Sequence, residues 1–331
     1  MPSEPLHVAI IGGGLCGLSL AIALTRQSIS HTIYEAKSSF TEIGAGINIG
    51  PNALQAFDLI DPSTRETIFA LATRNAPGKE DVWFTCRLAA ATDDFEDGHL
   101  LGEILAPPTG NMTLSRNELL QHLAKAINLE NAKFNKRLSD IGQDKAGATL
   151  SFTDGTKDRA SLVIGCDGAH SLVRRLMLGS DHPAAKAKYT QTGAYRAVIP
   201  MAQYEKTVGS DIAKNSHVWL GPEGYVIQYP INRGEDVNLG VWPRKEGEWN
   251  QDGWVLPKQK LQMLEDMQAW GGTLQSVMRS MNEDTSFWAG FHYSVKPESY
   301  FQGRVCLIGD GAHAMGPHQG AGASQGMEEG D

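Results

Sequence analysis

Hydrophobic positions along the chain fall into two patterns, and the changes between them mark its elements. Val8–Ile11 is an unbroken apolar run that breaks into glycines; after it Leu15, Leu18 and Ile22 recur at helical spacing, predicting a helix from about Leu15 to Gln27. The stretch HTIYEA at 31–36 then alternates as a second strand. Strand, helix and strand in this order form a β-α-β unit, which predicts a parallel sheet covered by helices. Further on, LSRNELLQHLAKAI predicts a second helix, with Ser115 placed to cap it and Glu118 three residues later in capping-box position. Short strands follow, joined by turns such as Thr153-Asp154-Gly155-Thr156 and ending in the apolar strand SLVIGC.

Between Tyr189 and Trp242 the pattern changes to β-rich segments carrying aromatic side chains, and these predict an antiparallel sheet. KQKLQMLEDMQAWGG predicts a helix after them. The chain then returns through GRVCLIGDGAHAMGP, where an apolar strand again meets glycines and a helix. A strand of that type belongs with the first β-α-β unit. The expected fold is therefore α/β with an α+β insertion: a discontinuous nucleotide-binding domain over 1–74, 103–184 and 287–331, and a β-rich domain over 75–102 and 185–286.

Composition narrows the partners. With 331 residues and 41% hydrophobic content, the chain can bury one large core or two joined ones. A formal net charge of -9 without a Lys/Arg cluster argues against nucleic acid or an anionic membrane and for a small molecule. MPSEPLHVAII lacks the basic start and long apolar run of a signal peptide, and no stretch approaches a membrane span, so a cytoplasmic protein is expected. Cys16, Cys86, Cys166 and Cys306 form no CxxC pair and read as reduced thiols.

The first chemistry lies in IIGGGLCGLSL. Gly12, Gly14 and Gly17 fit G-x-G-x-x-G between strand and helix, and Glu35 closes the next strand at the distance the fingerprint requires. Gly12 permits a tight turn, Gly14 lets backbone amides approach a pyrophosphate, and Gly17 allows close helix packing, while the helix N-terminus favours the phosphate charge. Glu35 is placed to accept hydrogen bonds from a ribose hydroxyl. The pattern establishes a dinucleotide site without separating NAD from FAD.

Two later stretches separate them. IGCDGAHSLVRR and GRVCLIGDGAHAMGPHQGAGAS each place an Asp-Gly or Gly-Asp at the end of an apolar strand. With the glycine loop, these motifs resemble, in order and over essentially the whole chain, the FAD-dependent aromatic hydroxylases. These are single-component flavoprotein monooxygenases, and the salicylate hydroxylase-like and fungal members are nearest. The resemblance implies a Rossmann-like FAD-binding domain of the hydroxybenzoate hydroxylase type with a β-rich substrate domain. It implies FAD as cofactor, NADPH or NADH as co-substrate, and a small aromatic substrate attacked by oxygen through a C4a-hydroperoxyflavin.

Carried over by residue, the resemblance places Asp310 on the flavin ribityl chain and the backbone from Pro317, including Gly320 and Ala323, at the pyrimidine end of the ring. Asp167 belongs to the motif linked to FAD and NAD(P)H, although a strand-end Asp is also an ordinary helix cap. Arg116 matches an arginine that contacts FAD, against the alternative of a solvated helix charge. Lys37 falls beside Glu35 at the dinucleotide end. EIGAGINIGPNALQAF, with Gly46, resembles the loop that approaches the flavin ring. Some members place a His as base where this chain has Tyr225. In the related fungal dearomatising hydroxylases an Arg and a Tyr orient a phenolate, and Arg196 and Tyr229 match them in position, each with a plain structural alternative as a surface or strand residue. Arg196 suits a phenolate or carboxylate in fork geometry. His313 and His318 lack helical spacing and a carboxylate or Cys cluster, so no metal is expected.

The chain ends at GASQGMEEGD, where similar proteins continue into a further helical part, so that part is expected to be missing. The expected function is hydroxylation of a phenolic acid or polyketide-derived phenol, with or without loss of a carboxylate, by a monomer or homodimer. Two other readings remain at this point: a flavin-binding protein without catalysis, and a nicotinamide-dependent dehydrogenase that uses the first motif alone.

Overall fold

A computed structural model describes residues 5–41 and 46–330. Its first sheet has six strands in the order Phe301–Gln302, Val305–Leu307, Leu162–Gly165, His7–Ile11, Ser30–Tyr34, Ala132–Lys133. His7–Ile11 runs parallel to both neighbours, with Val8 opposite Leu162 on one side and His31 on the other. Val305–Leu307 joins in parallel, so the late apolar strand does belong with the first unit. Covered on both faces, Ala9, Ile10 and Val163 have no exposed surface, and this burial explains why these strands read as continuous apolar runs. The helix Leu15–Arg26 lays Leu15, Leu18 and Ile22 against Ile10 and Ile33. On the other face the three-stranded sheet Leu138–Gln143, Ala148–Phe152 and Lys157–Ala160 and the helix Leu172–Leu178 pack on Ala9, Ile11 and Val163. Because the chain goes to opposite sides of His7–Ile11 in its two halves, a topological switch point opens at the glycine loop, where such sheets bind ligands.

The second sheet has eight strands, ordered Val255–Leu256, Ser286–His292, Lys188–Pro200, Asp236–Pro243, Gly224–Ile231, His217–Gly221, Val82–Leu88, Leu100–Leu105. It is not wholly antiparallel as expected: His217–Gly221 and Val82–Leu88 run parallel. These two strands are far apart in the chain, so no hairpin sets their relative direction. Helices Met201–Val208, Lys260–Asp266 and Gly272–Ser280 cover one face, over a core that includes Tyr195, Trp219, Leu239 and Val241.

Two helices differ from expectation. The stretch read as one helix at 258–272 stops at Asp266, and a new helix starts at Gly272, its Thr273 N–H donating to Asp97 Oδ2 at 3.2 Å. The first helix ends on Met267 as its cap, and Gly271 caps the second. The helix after Val305–Leu307 is only Asp310–His313. Among the described residues no helix is long and apolar enough to cross a membrane.

A two-stranded ribbon, Gly46–Ile49 with Met112–Ser115, links the sheets. Gly46 N donates to Asn238 Oδ1 at 2.9 Å, and the Thr113 hydroxyl donates to the Pro230 carbonyl.

Candidate active site

The glycine loop is shaped by what surrounds it. Gly12 has φ 109°, and a Cβ there would meet the Cys166 carbonyl oxygen at 2.5 Å; a Cβ on Gly17 would lie 2.0 Å from the Gly12 oxygen. Only glycine meets both demands. Gly14 caps the helix Leu15–Arg26 with no side-chain hydrogen bond, so the first amides of the helix are left for another acceptor. Glu35 accepts from Gly13 N at 2.8 Å and Lys37 N at 2.9 Å, one on each carboxylate oxygen, and each oxygen retains a lone pair for a hydroxyl donor. The Lys37 ammonium turns back to donate to the Thr41 carbonyl at 2.7 Å.

Asp167 follows the strand Leu162–Gly165 and caps the next helix: Oδ2 accepts from Leu172 N at 2.7 Å and Val173 N at 3.0 Å. Its Oδ1 is buried without a partner among the described residues. Burial raises the pKa of this carboxyl, against the hydrogen bonds from Ser171 and the helix amides.

Between the sheets lies a cavity of 290 Å³, lined by side chains of Arg116, Arg196, Tyr229 and Asp310 and by the chain at Gly46, Gly320 and Ala323. Arg196 projects from Lys188–Pro200 with its guanidinium 5.0 Å from the Trp288 ring centre. It is partly buried and has no hydrogen bond or ion pair among the described residues. Burial lowers its pKa, Tyr229 opposes the shift and Arg116 adds to it. The Tyr229 hydroxyl is held protonated by burial, against the pull of Arg196 and Arg116. The Tyr229 ring fits where Gly46 has no side chain: a Cβ there would lie 2.5 Å from Cε2.

Arg116 opens the helix Arg116–Lys125, whose Ser115 cap accepts from Glu118 N. Asp310 is exposed after Gly309, which has φ 59°. Glu329 holds this corner, accepting from Gly309 N at 2.5 Å and contacting His313 Nε2 at 2.9 Å. His313 and His318 therefore face different partners, since His318 Nδ1 shares a 2.6 Å hydrogen bond with the Tyr225 hydroxyl.

Seven of the residues singled out in the sequence thus meet around one cavity: Gly46, Arg116, Arg196, Tyr229, Asp310, Gly320 and Ala323. Gly12, Gly14, Gly17, Glu35, Lys37 and Asp167 stand apart, around the glycine loop and the turn it packs on. Tyr225 does not line the cavity; its ring stacks on Trp242 at 5.8 Å and 12°. The first part of the flavin-loop stretch, 42–45, lies outside the described residues.

Sequence reasoning missed Trp242, Gly240 and Asn238 on the cavity wall, and Arg174 against the helix Asp310–His313. Arg174 has no exposed surface and donates to the carbonyls of Ala184 at 2.6 Å, Gly311 at 3.0 Å and Ala312 at 2.6 Å, fixing the short helix that begins at Asp310. SLVRR signals an arginine here, but only the packing tells buried Arg174 from half-buried Arg175.

The residues present fit a flavin dinucleotide. The glycine cradle leaves room for a pyrophosphate, Glu35 for a ribose, and the cavity near Asp310 for a ring. The chain matches the FAD binding domain family over residues 5–330. It is 39% identical to the 6-methylsalicylate 1-monooxygenase of Aspergillus terreus over 99% of this chain and 73% of that protein. It is 34% identical to a salicylate hydroxylase of Sarocladium schorii over 99% of this chain and 70% of that protein. Among solved structures, a salicylate hydroxylase substrate complex superposes with a TM-score of 0.85 at 28% identity, over 99% of this chain and 78% of that one. The chain belongs to this FAD-binding family, as an FAD-dependent monooxygenase of the salicylate hydroxylase type.

Proposed function

We propose that the protein hydroxylates a phenolic acid, of the size of a salicylate or an alkyl salicylate, using NAD(P)H and O2. The observation that carries this reading is Arg196: a partly buried cation facing a cavity with no counter-ion among the described residues. A buried charge is costly until it is paired, so the site favours an anionic ligand, a carboxylate or phenolate in fork geometry. The names of the relatives support the same class, since one acts on 6-methylsalicylate and another on salicylate.

Gly12, Gly14 and Glu35 would hold the ADP part of FAD, Asp310 the ribityl chain, and the backbone at Gly46, Gly320 and Ala323 the ring. Bound FAD supplies the redox chemistry, accepting reducing equivalents from the nicotinamide and activating oxygen. Arg196 orients the acid, and Arg116 adds positive potential that favours the deprotonated phenol. Tyr229, kept protonated, donates a hydrogen bond to the ligand rather than taking its proton. Phe84 and Ile227 line the remaining wall and help keep water from the reacting ring.

The test is NAD(P)H oxidation by the FAD-loaded protein across a set of phenolic acids, with mass analysis of products. Gain of one oxygen supports hydroxylation, and simultaneous loss of carbon dioxide assigns the decarboxylating variant. Absence of flavin binding, or of stimulation by any phenol, ends the proposal. Arg196→Ala raises the substrate dissociation constant more than it lowers FAD content, and Asp310→Ala does the reverse; equal effects on both would remove these roles.

A further inference from the structure

The sheet face that walls the cavity is a grid set by strand register. Arg196 stands opposite Gly240, which stands opposite Ile227; one step along, Trp242 stands opposite Tyr225, and one step the other way Asn238 stands opposite Tyr229. Side chains two apart on a strand share a face, so Gly240 sits in the middle of this wall. Its backbone is not in the left-handed region, so conformation does not demand a glycine there. Space does: a Cβ at Gly240 would lie 2.9 Å from Trp242 Nε1. Glycine inside a strand weakens it and often marks a close approach by a ligand.

The Trp242 indole is the second observation. Three tryptophans are buried, Trp219, Trp242 and Trp270. Trp219 Nε1 donates to Gln228 Oε1 at 3.0 Å and Trp270 Nε1 donates to the Pro222 carbonyl at 3.0 Å. The Trp242 N–H finds no acceptor among the described residues, although a buried indole N–H normally has one. The atom is not sealed into the core, and its residue lines the cavity. Its ring is fixed by stacking on Tyr225 and by the edge of His318 at 6.1 Å.

We propose that Gly240 and the Trp242 N–H form an oxygen-recognition subsite: the indole donates to the ring hydroxyl or phenolate oxygen of an aromatic acid whose carboxylate is held by Arg196. The glycine leaves the space in which the indole lies, so that its N–H stands at the cavity wall. This inference rests on the phenolic-acid reading above and adds the second point of recognition, which distinguishes a hydroxybenzoate from a benzoate. It also gives Tyr225 a part outside the chemistry, as the ring that holds Trp242 in place.

Calorimetric titration of the FAD-loaded protein with salicylate and with benzoate tests it. Trp242→Phe keeps an aromatic ring and removes the donor; it is expected to weaken salicylate about tenfold and leave benzoate unchanged, as the loss of one hydrogen bond to a charged or phenolic oxygen requires. Gly240→Ala pushes the Trp242 N–H from its place and weakens salicylate more than benzoate, with FAD content retained. In the unsubstituted chain, the indole N–H proton resonance of Trp242 moves downfield with salicylate and not with benzoate, a readout independent of how the variants fold. Binding of salicylate with a salicylate-to-benzoate ratio unaltered by Trp242→Phe, or with a still Trp242 resonance, overturns the subsite alone. Failure of both acids to bind the wild-type holoprotein overturns the phenolic-acid reading and the subsite with it.

Discussion

Gly17 shows how one missing side chain sets the packing of a helix on the loop before it. Alanine there would place a methyl 2.0 Å from the Gly12 carbonyl oxygen, a backbone atom that cannot swing aside. The helix Leu15–Arg26 would have to move off the loop, taking its N-terminal amides with it. Gly17→Ala is expected to lower stability by roughly 1–3 kcal/mol, the usual cost of overpacking. It should weaken FAD binding at least tenfold; urea unfolding of the apoprotein and flavin fluorescence titration measure the two effects. This close packing was legible in the sequence because it depends on two glycines near each other in the chain. Trp242 was not: whether its N–H has a partner depends on Gly240, on the register with Gly224–Ile231, and on a wall assembled from distant strands. Tyr225 illustrates the same limit, since its position in the alternating pattern was readable while its stacking on Trp242 was not.

The helix Arg116–Lys125 is the element whose local signal was strongest, and half of that signal is realised. Ser115 Oγ accepts from Glu118 N at 3.4 Å, as a cap should. The Glu118 carboxylate pairs with Arg233 Nη2 at 3.0 Å, a residue more than a hundred positions away that no local pattern could supply. Because the cap fixes the turn that carries Arg116 to the cavity, Ser115→Ala is expected to cost about 1 kcal/mol in urea unfolding, the ordinary cost of a lost cap. Glu118→Gln should cost less than about 0.5 kcal/mol, since its partner is largely exposed. A larger loss at Glu118 than at Ser115 would show that the distant pair, not the cap, sets the helix. Elsewhere helical periodicity ran past its true end: 258–272 kept an apolar spacing after Asp266, where the helix stops and the chain turns before a second helix starts at Gly272.

At the scale of the whole molecule, the ribbon Gly46–Ile49 is tied to the eight-stranded sheet by the long-range bond from Gly46 N to Asn238 Oδ1, and both residues line the cavity. Apolar runs told which strands are buried on both faces, but not that Val82–Leu88 would run parallel beside His217–Gly221. That pairing has a consequence for stability. It buries His217 beside Arg87, whose Nε donates to His217 Nδ1 at 3.3 Å, and leaves Nε2 sealed without a partner among the described residues. Burial first, then the charges of Arg87 and Lys79, lower the imidazole pKa from 6.5 to about 3, so the folded protein holds it neutral. The unfolded chain takes up a proton below about pH 6.5, whereas the folded chain does not until about pH 3. The contribution is therefore complete above pH 6.5 and is lost progressively as pH falls from there toward 3. From pH 7 to pH 5 this one residue should remove about 2 kcal/mol of folding stability. Urea unfolding at the two pH values checks it. His217→Gln is expected to be less stable at pH 7, yet to lose less stability on acidification than the wild type; an equal pH 7-to-5 loss in both proteins would show that other groups set the acid sensitivity of the fold.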